Sequence, residues 1–199
     1  MKISEVARER IRSVEAEISR NNYETAIAFD TDGNIVFEKT TYDENNVDFT
    51  DEELSAIKGC IVTHNHSYDE DSERSGVKST SSFSSDDLIV AYQCDFIEVR
   101  MVVNDETYTF RWNNPDKCKA NDFFTEMDRI EKEAIKRIDA AGDKAELAVA
   151  EYENNPSMHS YFEKERLATV YFNELKFQAD EMNDFISKNR HIGYIFRKE

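Results

Sequence analysis

The sequence predicts an α+β fold, with a mixed sheet flanked by helices and followed by a long helical hairpin. Three observations lead to this prediction. Short apolar runs bounded by turn residues alternate with amphipathic segments over the first 112 residues. From about Asn121 onward, apolar residues recur at helical spacing instead. The chain of 199 residues contains 5 glycines and 2 prolines, and this low content favours long regular elements.

The first predicted elements are a helix and a hairpin. Residues 4–20 have the pattern of an amphipathic helix that Ser4 can cap, with apolar residues near one face at Val6, Ile11, Val14 and Ile18. Two short apolar runs then flank Asp32-Gly33-Asn34. Because glycine readily adopts the positive φ of a tight turn, this segment predicts a hairpin.

The next stretch predicts a short helix, a strand and a loop. Thr50 and Glu53 have the spacing of a capping box, and the helix that they begin should stop near Gly59. The run "CIVTHNH", residues 60–66, predicts a buried strand. Residues 67–83 are polar, acidic and rich in serine, so we expect a mobile loop there.

The remaining elements complete the sheet and form the helical hairpin. The run "SSDDLIVAYQC" predicts a helix, and "FIEVRMVVNDETYTFRW" predicts a second hairpin that turns at Asn104-Asp105. Two long helical patterns joined near Pro156 predict an antiparallel pair, and "IGYIF" predicts a last strand that returns to the sheet. We therefore expect one domain over residues 1–118 and a helical extension over residues 119–199.

Composition restricts the classes of partner. The formal net charge is -17, from 42 acidic and 25 basic residues, and such a surface repels phosphate backbones. We expect no nucleic-acid partner and favour a protein or peptide. Three widely spaced cysteines, Cys60, Cys94 and Cys118, fit neither a disulfide framework nor a CxxC metal site. No apolar run has the length of a membrane span or the position of a signal peptide, so we expect a cytoplasmic protein without membrane contact.

Two histidines one residue apart, His64 and His66, end the apolar run of the predicted buried strand. Side chains at positions i and i+2 of a strand point the same way, so both imidazoles can bind one metal ion. The same pair also fits ordinary polar residues at the end of a strand. The histidines alone do not decide between these interpretations.

The other groups of a hydrolytic zinc site can be identified nearby. Such a site needs an open position for water, a carboxylate base and a donor for the oxyanion. In Ser84-x-x-Asp87, Asp87 can supply an oxygen ligand and Ser84 a hydrogen bond, although the spacing also fits an ordinary capping box. Glu24 precedes the first strand and is the candidate base, unless it is a solvated charge. Glu38 is the competing candidate.

The order of these groups resembles the JAB/JAMM (MPN-positive) metalloprotease pattern of Glu, then His-x-His, then Ser-x-x-Asp. The stretches "THNH" and "FSSDDL" are most similar to those of bacterial and phage JAB-like domains, and the resemblance covers about residues 20–112. It implies a JAB/MPN-like fold, similar to cytidine deaminases. It also implies zinc-dependent hydrolysis of a peptide or isopeptide bond, as in deubiquitinase-like enzymes that act on ubiquitin-like conjugates.

The resemblance also implies a role for each residue of the pattern. His64, His66 and Asp87 would bind zinc, Glu24 would activate the water, and Ser84 would assist the oxyanion. The chain departs from the pattern at Ser67, where bacterial members usually have proline, and in a longer segment before Ser84. The longer segment fits a lid that selects substrate, or it indicates a domain that has lost its peptidase activity. Because all five positions of the pattern are filled, we favour an intact site.

Two other functions are compatible with parts of the sequence. A non-catalytic JAB-like interaction module would explain the fold without the chemistry, although all five chemical positions are filled. An HNH-type nuclease is suggested only by the letters "HNH", and the charge of -17 opposes DNA binding. The helical extension has no counterpart in the minimal family domain. We expect it to bind a substrate or partner, or to form a homodimer.

Overall fold

The structure is a computed structural model that describes residues 3–42, 47–66, 82–103, 106–113 and 116–197. Its elements are, in chain order, α1 (Glu5–Ile18), β1 (Thr25–Phe29), β2 (Ile35–Thr40), α2 (Asp51–Ala56), β3 (Ile61–Asn65), α3 (Ser85–Gln93), β4 (Glu98–Val103), β5 (Glu106–Trp112), α4 (Lys117–Asn154), α5 (Met158–Lys188) and β6 (Gly193–Arg197). They form two compact units. The sheet unit contains the sheet, α1 to α3 and both outer ends of the long helices, and the helical unit contains Thr125–Phe185.

Six strands form one mixed sheet in the order β2-β1-β3-β4-β5-β6. The β3–β4 pair is parallel, and the other four neighbouring pairs are antiparallel. Strand β3 therefore has a partner on each side, and all five of its residues are buried. The final strand returns to the sheet, as the "IGYIF" pattern predicts, and it pairs with β5.

Helix α1 covers one face of the sheet, which we call the α1 face. Apolar residues of α1, Ala7, Ile11 and Ile18, join Ile27 and Phe29 of β1 in one buried cluster. Ser4 caps the helix by accepting a hydrogen bond from the Ala7 amide. The prediction for Val6 was wrong, because Val6 is 59% exposed and the buried stripe instead passes through its neighbour Ala7.

A buried network of ion pairs joins α1 to the same face. The Arg100 guanidinium donates to both carboxylate oxygens of Glu15, over 2.6 and 2.9 Å, and to Glu98 over 2.8 Å. Glu98 also accepts hydrogen bonds from Arg111, and Glu15 accepts one from the Thr63 hydroxyl at 3.0 Å. Burial alone would lower the pKa of Arg100, but the hydrogen bonds and charges of Glu15 and Glu98 raise it above its ordinary value. Arg100 therefore stays charged.

Helix α3 and a run of aromatic rings pack at the opposite face, which we call the site face. Phe83 is fully buried, and its ring lies edge-on to Phe110 of β5 at 6.2 Å between centroids. Trp112 in turn makes edge-to-face contacts with Phe110, Tyr92 and the rings at the start of α4. Apolar packing therefore dominates this face, whereas the α1 face combines an apolar cluster with the ionic network.

The helical unit is an antiparallel pair formed by α4 and α5. Arg137 of α4 donates to Glu174 and Glu181 of α5, and Tyr152 contacts Tyr161 across the turn. Buried alanines recur every seven residues along α4 within this unit, at Ala134, Ala141 and Ala148. This spacing is the heptad of a two-helix seam, and small side chains there let the two backbones approach closely.

The structure confirms the predicted α+β class with its mixed sheet and long helical pair. The first hairpin turns at Gly33 with φ of 78°, and Thr50 and Glu53 form the predicted capping box. Strands β4 and β5 pair as predicted, although the turn expected at Asn104-Asp105 lies outside the described residues. The predicted mobile loop also lies outside them over residues 67–81. Among the described helices, none is long and apolar enough to cross a membrane.

We expect Arg100→Met to lower the free energy of unfolding by about 3–5 kcal/mol, because it leaves the buried Glu15 carboxylate without its cation. Equilibrium urea unfolding measures this loss. Arg129→Met is the matched control, since Arg129 pairs with Glu126 and Glu133 on the exposed surface of α4. Equal losses in the two variants would show that the buried network contributes nothing beyond a surface ion pair.

Candidate metal centre

The two histidines lie at the carboxyl end of β3, on the site face. Side chains of a strand alternate between its faces, so His64 and His66 point the same way and their ring centroids lie 5.2 Å apart. His66 follows the last residue of β3, but its amide donates to the Val102 carbonyl of β4 at 3.1 Å. Phe83 packs against the His64 ring at 6.4 Å. The neighbouring strand and ring therefore hold both histidines in place.

Asp87 reaches the same place from the first turn of α3. Its Oδ2 atom accepts a hydrogen bond from the Ser84 amide at 2.8 Å, and the Ser84 hydroxyl accepts one from the Asp87 amide at 3.1 Å. This is the reciprocal capping box that the Ser-x-x-Asp spacing allowed. The other oxygen, Oδ1, lies 3.5 Å from Nε2 of His64. The cap therefore orients the carboxylate towards the histidines.

The three side chains can hold one metal ion. One ligand atom of each of His64, His66 and Asp87 lies within 4.8 Å of the others. Nε2 of His64 is buried and makes no hydrogen bond, although it faces the Asp87 carboxylate. A buried polar atom of this kind normally has a partner. A cation between them would satisfy both groups. Two imidazole nitrogens and one carboxylate oxygen form a donor set that a divalent transition metal accepts.

Burial prepares His66 to act as a ligand. Desolvation, together with the smaller effect of the neighbouring His64, lowers the pKa of His66 to about 4, although the Asp87 charge acts in the opposite direction. The ring is therefore neutral at pH 7. A neutral imidazole offers a lone pair to a metal without first losing a proton.

The strand register separates the two candidate bases. Ala26 of β1 lies opposite His64, so Glu24, two residues earlier, comes opposite His66 when the antiparallel register is continued. The alternation of β1, continued by one residue, therefore predicts Glu24 on the site face with the histidines. Glu38 lies opposite Ile27, which in turn lies opposite Thr63 on the α1 face. The register thus places Glu38, which is exposed, on the other side of the sheet from the histidines.

One polar residue of this region, Asn65, could not be identified from the sequence pattern of the site. Asn65 lies between the two histidines and is fully buried, and its side chain bonds to the backbone beside Glu24. The sequence offers one signal for Asn65, which is its position in a predicted buried strand. A polar side chain buried there needs a specific hydrogen-bond partner.

No protein-family model matches the chain, and comparisons with curated proteins and with solved structures found no match. The fold and the site define an α+β protein in which a His-His-Asp group could bind a metal ion. The geometry of this group and the order of its residues along the chain are therefore the features that bear on function.

We expect the chelator-treated protein to take up one zinc ion per chain at pH 7. His64→Ala and Asp87→Asn should each lose most of the affinity, measured by isothermal titration calorimetry with zinc. Asp87→Asn is informative because its amide oxygen can still accept the capping bond from Ser84 while the charged ligand is lost. His159→Ala, which changes an exposed histidine of α5, is the control and should bind as wild type. Equal zinc uptake by wild type and His64→Ala would refute the assignment.

The metal-free protein should lose stability as the pH falls from about 6.5 to about 4. A histidine in the unfolded chain takes up its proton near pH 6.5, whereas folded His66 does so only near pH 4. The unfolded state therefore binds more protons in this window, which favours unfolding.

The measurement is urea unfolding with chelator at pH 7 and pH 4.5. His66→Gln should flatten the pH dependence, and His191→Gln, at an exposed histidine, should leave it unchanged. An identical pH dependence in wild type and His66→Gln would contradict the lowered pKa.

Proposed function

We propose that this protein is a zinc-dependent peptidase or isopeptidase of the JAB/JAMM type. The observation that carries the proposal is the convergence of His64, His66 and Asp87 at one end of the sheet. Continuing the β1–β3 register to Glu24 brings this residue opposite His66. The chain order of these residues, with Ser84 one turn before Asp87, supports the same conclusion because it resembles the JAMM pattern. Three protein ligands are the number that catalytic zinc sites use.

Each residue has a defined part in this reaction. Zinc, when bound, supplies a Lewis acid that acidifies a water molecule and polarises the scissile carbonyl. The Glu24 carboxylate accepts the proton that the attacking water loses, and it returns this proton to the leaving amine as the C–N bond breaks. The Ser84 hydroxyl accepts a bond from the Asp87 amide, and that bond does not use its own proton. Ser84 can therefore donate to the oxyanion.

The proposed substrate is a protein or peptide, with a ubiquitin-like conjugate as the isopeptide form. A net charge of -17 disfavours nucleic acid and suits a neutral or basic protein surface. We place the reaction in the cytoplasm, where thiols stay reduced, because Cys60, Cys94 and Cys118 are all free.

A non-catalytic interaction module is the second candidate, and the helical unit favours it. Leu147, Met158 and Phe162 are 71%, 69% and 61% exposed near the turn between α4 and α5. Exposed apolar side chains of this size are common at sites of protein association. In this case the helical unit would bind a protein partner or a second copy of the chain, and the metal centre would have no catalytic role.

We expect Glu24→Gln to keep zinc and to lose about 10²–10⁴-fold in turnover, because a carboxamide cannot accept the proton of the attacking water. Ser84→Ala should cost less, about 10²-fold, because zinc shares the stabilisation of the oxyanion. Zinc content and hydrolysis are measured on the same preparations. The probes are a fluorescence-quenched peptide library and an isopeptide-linked ubiquitin dimer.

Glu38→Gln is the matched control, since it makes the same chemical change on the other face of the sheet. It should cleave as wild type does. If Glu38→Gln loses activity while Glu24→Gln keeps it, the base has been assigned to the wrong residue. If zinc-loaded wild type cleaves none of the probes, the interaction module replaces the hydrolase as the better proposal.

A further inference from the structure

Asn65 makes two hydrogen bonds that enclose a single residue of the neighbouring strand segment. Its Oδ1 accepts from the Thr25 amide at 2.8 Å, and its Nδ2 donates to the Tyr23 carbonyl at 2.9 Å. These are the backbone groups immediately after and before Glu24. The Asn65 side chain is therefore hydrogen-bonded to the backbone on both sides of the proposed base.

These two hydrogen bonds lie just beyond the last residue pair of the β1–β3 ladder. The pairing ends at Ala26 and His64, so the ladder itself does not extend to Glu24. From the other neighbouring strand, β2, the Thr40 hydroxyl donates to the Glu24 carbonyl at 3.0 Å. The Glu24 backbone is thus held from β3 and from β2 by side chains, where the regular strand pairing has already stopped.

Side chains alternate between the two faces along β3, so neighbouring residues of this strand have different roles. His64 and His66 point to the site face, and Asn65, between them, points away from it. Asn65 is fully buried, and both ends of its amide are used in the contacts to the backbone around Glu24. One short segment therefore carries two metal ligands and the support for the base.

We propose that Asn65 is a positioning residue that holds Glu24 opposite His66 without taking part in metal binding. The inference depends on the proposed hydrolase function, because it assigns Asn65 a role towards the base of that reaction. A general base must lie within hydrogen-bond reach of the proton it removes. A displacement of about 1 Å can cost roughly 10²-fold in rate.

The first arm of the experiment measures hydrolysis and zinc affinity. Asn65→Ala should lower kcat by about 10²-fold, with KM and zinc affinity close to wild type, on whichever peptide or ubiquitin-dimer probe wild type cleaves. In a Glu24→Gln background, Asn65→Ala should have no further effect on kcat. A residue that merely stabilised the fold would lower the rate equally in both backgrounds, so the double variant separates the two roles.

Thr63→Val is the matched control for damage to β3. Thr63 is fully buried and adjacent to His64, but its hydroxyl bonds to Glu15 rather than to the backbone around Glu24. We expect it to reduce stability and to leave kcat near wild type. Asn65→Leu, which fills a similar volume and also removes both hydrogen bonds, replaces Asn65→Ala if the alanine variant does not fold.

The second arm needs no substrate and no metal. Amide hydrogen exchange of the chelator-treated protein should be faster at Thr25 in Asn65→Ala by about fivefold, the equivalent of one hydrogen bond. The amides of Ala26 to Phe29, which the β1 pairings protect, should exchange at the wild-type rate.

The outcomes separate the positioning role from the hydrolase proposal. Unchanged exchange at Thr25 would overturn the positioning role whether or not the protein is a hydrolase. A loss of kcat that persists in the Glu24→Gln background, or that Thr63→Val reproduces, would also overturn it. If wild type cleaves no probe, the hydrolase proposal fails and with it the role of Asn65 in positioning a catalytic base. Faster exchange at Thr25 would then leave Asn65 with a structural role only.

Discussion

Strand β3, paired with β1 on one side and β4 on the other, is the constraint on which the rest of the structure depends. Its five residues are buried on both faces, and each face needs a different set of side chains. Thr63 meets Glu15 and the ionic network on one face, and His64 meets Phe83 and Asp87 on the other. A slip of one residue would exchange the two sets, leaving the histidines among buried charges and the network without its hydroxyl. The register of β3 therefore fixes the fold and the candidate metal centre together.

The ionic network defines how α1 docks more than it adds to stability. Removing Glu15, Glu98 and Arg100 from water has a large desolvation cost, which their mutual attraction only offsets when every hydrogen bond is made. Here Arg100 makes two bonds to Glu15, one to Glu98 and one to Thr109. A helix that is shifted or rotated would leave a carboxylate unpaired, so the network selects one position of α1 on the sheet. Apolar contacts of the α1 cluster supply most of the favourable free energy.

Asp87 shows how a structural role and a candidate chemical role can share one side chain. The capping box uses Oδ2, and Oδ1 is directed to His64. A ligand on a flexible side chain would lose conformational entropy when a metal binds, and the cap has already removed that freedom. Helix α3 thus presents a fixed oxygen to two histidines that the parallel pairing of β3 and β4 holds in place.

The sequence by itself determined the elements whose signals are local. The glycine of the first turn, the two capping boxes and the alternating or helical apolar patterns each specify backbone geometry within a few residues, so α1, both hairpins and the long helices could be predicted. The His-x-His and Ser-x-x-Asp spacings likewise identified the three residues that the fold brings together. Val6 was misplaced because helical periodicity alone leaves the buried stripe uncertain by one residue.

Only the tertiary structure decided the features that depend on register and on contacts distant in sequence. Glu24 was the candidate base and Glu38 its competitor, and the pairing of β1 with β2 and β3 then placed Glu38 on the α1 face, away from the histidines. Arg100 meets Glu15 across 85 positions of sequence, and Asn65 reaches the Glu24 backbone across a strand pair. A local pattern carries no information about such partners, because their proximity is created only when strands from distant parts of the chain pair in one register.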